Sequence, residues 1–309
     1  MSSNPSFMSV LTTWAFEPQI VLALVLTGAL YVLGLRELDR RGKLWRLVRR
    51  RHVVLFALGL LSLTLALLSP LDTYDTRLFS VHMAQHLVLL QVAPPLLLLG
   101  KPVPVLLVGL PRALVRGVAR AQRRTPWLHW LTHKLVSPPV AWTLYAADLL
   151  LWHAPSLYQA TLYNTGVHLL EHVCFVGTGV LFWWVIVEPL PRPRSQRLHL
   201  GLRLLYTVSA MLPMNLLGAL LTLADRLWYP FYGTQPALWG WGAVDDQRLG
   251  GLLMWLAGSM IFMGIGSVMF FRMLAHDEHE RERDEAEDSA YGDPAVPAGA
   301  ALPSGTARG

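Results

Sequence analysis

Long apolar runs recur along this 309-residue chain, near Pro18–Leu35, Val53–Ser69, Val81–Leu99, Pro139–Trp152, Val167–Val187, Leu202–Ala224 and Leu249–Phe271. A run of ~20 such residues crosses a hydrocarbon core of ~30 Å as one helix. Inside hydrocarbon every backbone N–H and C=O needs an internal partner, which leaves only helices or a closed barrel. These runs are too long and too continuously apolar for barrel strands. The composition agrees, with 53% hydrophobic and 15% charged residues and 12 Trp. The expected fold is all-α, a polytopic membrane bundle of about seven transmembrane helices. The fourth run is short and carries Asp148, but its flanking loops require a crossing there. Val103–Leu110 follows Pro94, Pro95, Gly100, Lys101 and Pro102, and reads as an interfacial or re-entrant stretch rather than an eighth crossing.

Orientation follows from Lys and Arg, because short basic loops are held on the cytoplasmic side. The six loops carry 8, 1, 7, 0, 4 and 2 of them in turn, an unbroken alternation. It puts the N-terminus outside and the C-terminus in the cytoplasm. The formal charge of +6 is thus spread as topology determinants rather than as one basic stripe, and no nucleic-acid partner is expected. Residues 1–17 read as an extracytoplasmic segment without the positive n-region of a cleaved signal. Residues 18–272 form the membrane domain. Residues 273–309, first dense in charge and then rich in Ala, Gly, Pro and Ser, read as a disordered cytoplasmic tail. Cys174 stands alone in an apolar run and offers no disulfide.

The chemistry gathers in histidines. On this topology His82 and His86 open the third span, His153 closes the fourth, and His168 and His172 open the fifth, so all five lie at or just within the outer face. Residues four apart share one helical face, ~6 Å apart along the axis. Two such pairs on different helices can converge on one ion, and imidazole suits copper, zinc, iron and nickel. A buried histidine can also be a hydrogen-bonded core residue, but five on one leaflet favour metal binding, because ionisable groups inside a membrane are costly. Met211 and Met214 share a face of the sixth span and offer soft thioethers, which select Cu(I). Met83 and Met254 are weaker candidates of the same kind. Asp148 and Glu171 offer carboxylates to support the ligands or to act in catalysis, and Asp246 an N-terminal helix cap with ligand support as its lesser role.

Ordered motifs then carry a resemblance. His82-Met-Ala-Gln-His86 continues into Pro94-Pro95. Trp152-His153-Ala-Pro155 and His168-Leu-Leu-Glu171-His172 follow, then Ala224-Asp225-Arg-Leu-Trp-Tyr-Pro230, and Asp246-Gln247 leading to Gly250-Gly251. From about Val81 to Phe271 the chain resembles the CtaG family of cytochrome c oxidase assembly factors. The resemblance implies a multi-pass protein of the bacterial plasma membrane that is not an enzyme. It implies a role in assembling a caa-type terminal oxidase, with copper bound or delivered for one of its metal centres. Implied partners are the bilayer, terminal oxidase subunits and an extracytoplasmic copper donor. The family's His motifs map onto His82, His86, His153, His168 and His172. Two other readings fit the same histidines. One is a zinc-dependent seven-helix hydrolase with Asp148 or Glu171 as base. The other is a bis-His haem protein using His86 and His172.

Overall fold

A computed structural model describes residues 6–190, 198–235 and 240–291. Arg192, Arg194 and Arg197 of the fifth loop, residues 1–5 and residues 292–309 lie outside the described residues.

After a short helix, Phe7–Thr12, come three long apolar helices, α1 (Pro18–Arg40), α2 (Arg50–Tyr74) and α3 (Phe79–Leu99). Next, α4 (Pro102–Gly109) bends by 118° into α5 (Arg112–Arg124). Eight residues rise only ~12 Å, so α4 by itself is too short to cross, and the bent pair has the form of a broken span or a re-entrant turn. It lies against α1, where Val105 packs with Tyr31 and Leu38. Then come α6 (Pro138–Trp152), α7 (Pro155–Tyr163), α8 (Thr165–Val187), α9 (Leu200–Thr222) and α10 (Ala243–Ala275). Among the described residues, six helices are long and apolar enough to cross a membrane: α1, α2, α3, α8, α9 and α10. The expected fourth crossing is α6, whose 15 residues rise only ~22 Å. It packs inside the bundle through Ala141, Tyr145 and Leu149.

Contacts between helices fix their relative directions. The Ala15 N–H donates to the Leu68 carbonyl at 2.9 Å, joining the start of α1 to α2 near its end. The Asp246 carboxylate of α10 meets Phe79 and Ser80 at the start of α3. Thr178 of α8 donates to Asp148 of α6 at 2.6 Å, and Thr222 of α9 to the Arg248 carbonyl of α10 at 3.4 Å. Hence α1, α3, α8 and α10 begin at one end of the bundle, where α2, α6 and α9 finish. The histidine motifs lie at this end. The basic segments Arg36–Arg51 and Lys101–Lys134 lie at the other.

Two helices carry wide π turns, Val88–Val92 in α3 and Leu253–Ala257 in α10. The first has a clear cause. Pro94 has no N–H to give the Leu90 carbonyl four residues back. The indole N–H of Trp183 takes that place at 3.0 Å and ties α3 to α8. Helices α9 and α10 meet backbone to backbone, since a Cβ on Gly251 would sit 2.7 Å from the Gly218 carbonyl oxygen. Small residues permit this approach where no hydrophobic effect drives helices together in lipid. Outward faces are apolar, with Leu22, Val25 and Leu26 on α1 and Leu212, Leu216 and Leu220 on α9 exposed.

Where an unstructured tail is expected from residue 273, the last helix instead continues to Tyr291. Glu is the commonest residue of that stretch and Ala follows it, both good helix formers, and no Gly or Pro interrupts it before Gly292. Charge density alone was a poor guide there, because Glu and Arg three and four apart also support an exposed helix.

Candidate metal centre

The centre is built from the opening turns of α3 and α8 and from the turn that follows α2. On α8, residues 168, 171, 172 and 175 form one stripe with the i, i+3, i+4, i+7 spacing of a buried helical face. Glu171, His172 and Phe175 are buried along it. On α3, His82 and His86 face the same interior, at 0% and 4% exposure. Rings of the two helices pair level by level. His82 and His168 have centroids 5.2 Å apart, and His86 and His172 are 5.9 Å apart.

Between them stands Glu171, fully buried, with one oxygen 3.8 Å from His82 Nε2 and the other 3.7 Å from His86 Nε2. Asp75 closes the end of the cluster, its Oδ2 3.3 Å from His168 Nε2. Burial and the nearby Asp72 push the Asp75 carboxyl up to about 8. Two groups of donor atoms result, each with all members within 4.8 Å of one another: His82, His86, Glu171, His172, and Asp75, His82, His168.

The polar atoms at the heart of this cluster lack partners. Asp75 Oδ2, His82 Nε2, both ring nitrogens of His86, His168 Nε2, both Glu171 oxygens and His172 Nε2 are all buried without a hydrogen bond. Each such atom costs ~1–3 kcal/mol when left unsatisfied. Their convergence has a ready physical account if the groups are ligands: neutral imidazole and carboxylate are donors to a transition metal ion. The residues present therefore fit a metal.

Neighbouring side chains prepare the lone pairs. The Tyr232 hydroxyl is 2.8 Å from the Asp75 carbonyl oxygen, which can only accept, so Tyr232 donates there. Its oxygen then accepts from Tyr158 at 2.9 Å and from His82 Nδ1 at 3.2 Å. With its proton on Nδ1, His82 presents a bare Nε2 to the centre, the orientation that outer hydrogen bonds impose on metal-ligating histidines. Tyr232→Phe removes this control without emptying the core. Metal affinity is expected to fall ~10–100-fold, read by competition with a chromophoric chelator, with the unfolding midpoint little changed. Unaltered affinity would show that Tyr232 only fills space.

Asp246 holds the start of α3 in place. Its carboxylate accepts the backbone N–H groups of Phe79 and Ser80 and the Ser80 hydroxyl. Sequence spacing suggested a cap on its own helix, but the carboxylate instead caps the helix that carries His82 and His86. Gln247, its neighbour, accepts from the Trp228 N–H at 2.7 Å and donates to the Arg226 carbonyl at 3.2 Å. The loop so tethered delivers Tyr229, which donates to the His153 carbonyl at 2.9 Å, and Tyr232.

Of the residues singled out from sequence, His82, His86, His168 and His172 come together. His153 adjoins them, 5.8 Å from His86 between ring centroids, but in neither donor group. Its Nδ1 lies 2.7 Å from the Leu149 carbonyl and its Nε2 3.3 Å from Met83 Sδ. Met214 sits with its sulfur 3.0 Å from the Gln91 amide nitrogen, and Met211 is half-buried against the main core. Asp148 is engaged by Thr178 rather than by the histidines. Sequence reasoning missed Asp75 and the parts that Tyr158 and Tyr232 play here, and weighed Glu171 as a base or as support for the ligands rather than as a donor itself. The i+3 position of Glu171 after His168, on the stripe that ends at Phe175, was the signal for it.

A family model described as cytochrome c oxidase caa3 assembly factor matches residues 29–276. Uncharacterized proteins of Mycobacterium bovis and Mycobacterium tuberculosis are each 29% identical over 298 residues, covering 94% of this chain and 44% of their own length. A further uncharacterized protein, of Mycobacterium leprae, is 27% identical over 298 residues with the same coverage. The chain thus spans 44% of the length of these curated relatives. No solved structure matches the chain.

Proposed function

Because the chain belongs to the family of cytochrome c oxidase caa3 assembly factors, we propose that it holds copper at the histidine end of its bundle and passes it on during maturation of a caa-type oxidase. The observation that carries this reading is the convergence of buried, unpartnered imidazole and carboxylate atoms from α3, α8 and the turn after α2. The basic segments at the opposite end supply the orientation, since the positive-inside rule then turns the histidine end outward. That is the side from which an extracytoplasmic donor would load the centre and oxidase subunits would receive its copper. The bacterial plasma membrane is the setting this requires.

The gathered donors are imidazole and carboxylate. They suit Cu(II) as well as Cu(I), so the proposal does not rest on the thioethers of Met211 and Met214. Zinc would accept the same donors. A zinc hydrolase needs a carboxylate free to act as base, however, and Asp148 is bonded to Thr178 while Glu171 stands among the ligands. A haem between His86 and His172 would have to displace Glu171 and the rings of His82 and His168, which fill the space around that pair.

The test is elemental mass spectrometry on detergent-purified protein reconstituted with Cu(I) or Cu(II), beside the His86→Ala/His172→Ala variant. Copper retained by the wild type and reduced in the folded variant is the expected result. A wild type that retains no copper overturns the proposal, and zinc retained in preference to copper favours the hydrolase.

A further inference from the structure

The donor set is larger than one ion can use. Six side chains present at least one buried, unpartnered ligand atom to the centre: Asp75, His82, His86, His168, Glu171 and His172. A tetrahedral ion takes about four ligands. One ion on His82, His86, Glu171 and His172 would leave Asp75 and His168 only each other, 3.3 Å apart and without a hydrogen bond between them. The two donor groups share His82, yet His82 has one available lone pair, because its Nδ1 is held by Tyr232. It can serve only one ion.

Backbone spacing places the six at two levels, although within each helix the rings close to 4.2 Å for His82 and His86 and 4.1 Å for His168 and His172. The i, i+4 spacing on α3 and on α8 separates the histidines of each helix by ~6 Å along its axis. The helices run in the same direction, so the levels register. At the level nearer the bundle end stand His82, His168 and Asp75. One turn further in stand His86, His172 and Glu171. Each level holds one imidazole from each helix and one carboxylate. Glu171 faces both, with Oε2 toward His82 and Oε1 toward His86, the posture of a carboxylate that bridges two cations.

Resting on the metal-binding reading above, we infer that the centre holds two copper ions, one on His82, His168 and Asp75 and one on His86, His172 and Glu171, with Glu171 spanning them. With Glu171 shared, the first ion has four protein ligands and the second three, so every one of the six side chains is engaged. The three-coordinate ion keeps a coordination position for an incoming or departing ligand, as transfer between proteins requires.

The experiment counts copper in the full chain, purified in detergent and dialysed after loading with Cu(I) or with Cu(II). Protein is quantified by amino-acid analysis. The wild type is expected to hold two ions. His168→Gln and His172→Gln, each removing a ligand from one level, are each expected to hold one, and the double variant none. Electron paramagnetic resonance of the Cu(II)-loaded wild type should show coupling between the spins, and each single variant an isolated Cu(II) signal. Size-exclusion profiles and unfolding midpoints establish that the variants are folded. One ion in the wild type, lost in both single variants, would overturn the two-ion centre while leaving the metal-binding reading intact. No ion in the wild type would remove both.

Discussion

Asp246→Ala is expected to destabilise the protein by about 2–4 kcal/mol and to deplete the metal centre, although Asp246 is not among the donor groups. The carboxylate accepts two backbone N–H groups at the start of α3 and the Ser80 hydroxyl, in a setting where it is 4% exposed. Truncation leaves those donors buried without an acceptor. Water reaches them poorly, and Phe79 packs there against Tyr229 and Tyr158. The first turn of α3 should then fray, and His82, one turn inside it, would lose its position against His168. Asp246→Asn keeps one acceptor oxygen and should recover part of the loss. Unfolding midpoints in detergent, read beside copper content, check both effects. Equal midpoints for wild type and Asp246→Ala would mean that α3 does not depend on this cap.

The case of Asp246 shows where sequence reasoning reaches its limit. A carboxylate near the start of a helix reads as a cap on that helix, because local rules see only neighbours in sequence. Its actual partners, Phe79 and Ser80, are brought to it by the packing of α10 beside α3. Tyr232 was obscured in the same way. Among Trp228, Tyr229 and Phe231 it resembles an interfacial anchor, and only the fold carries its hydroxyl to His82 and Asp75.

Features with a fixed period were legible. The apolar runs announced the long helices, and the two His-x-x-x-His spacings announced two faces that could meet. Met211 and Met214 have a helical spacing too, but spacing fixes a face and not a partner. Packing sets Met214 against Gln91. Residues 273–291 differ for another reason: they are helical, and high charge marks both a disordered chain and an exposed helix, with Glu and Ala favouring the second.

Glu171→Leu is expected to separate stability from metal binding. In metal-free protein both Glu171 oxygens are buried at 0% exposure without a hydrogen-bond donor. Nearby Thr161 spends its single hydroxyl proton on the Tyr158 carbonyl at 2.7 Å. Replacing an unpaired buried carboxyl by an apolar side chain of similar volume removes a desolvation cost, and such exchanges are often neutral or stabilising by ~1–4 kcal/mol. The chelator-treated variant should therefore unfold at or above the midpoint of chelator-treated wild type. Copper should reverse the order. At ~100-fold excess over its dissociation constant, a ligand stabilises the folded state by about 2.7 kcal/mol, and the wild type should gain this while the variant gains far less. Such a reversal is the signature of a site that gives up stability for binding. A variant that is several kcal/mol less stable without metal, yet responds to copper like the wild type, would assign Glu171 to the structural core and leave the ions to the histidines and Asp75.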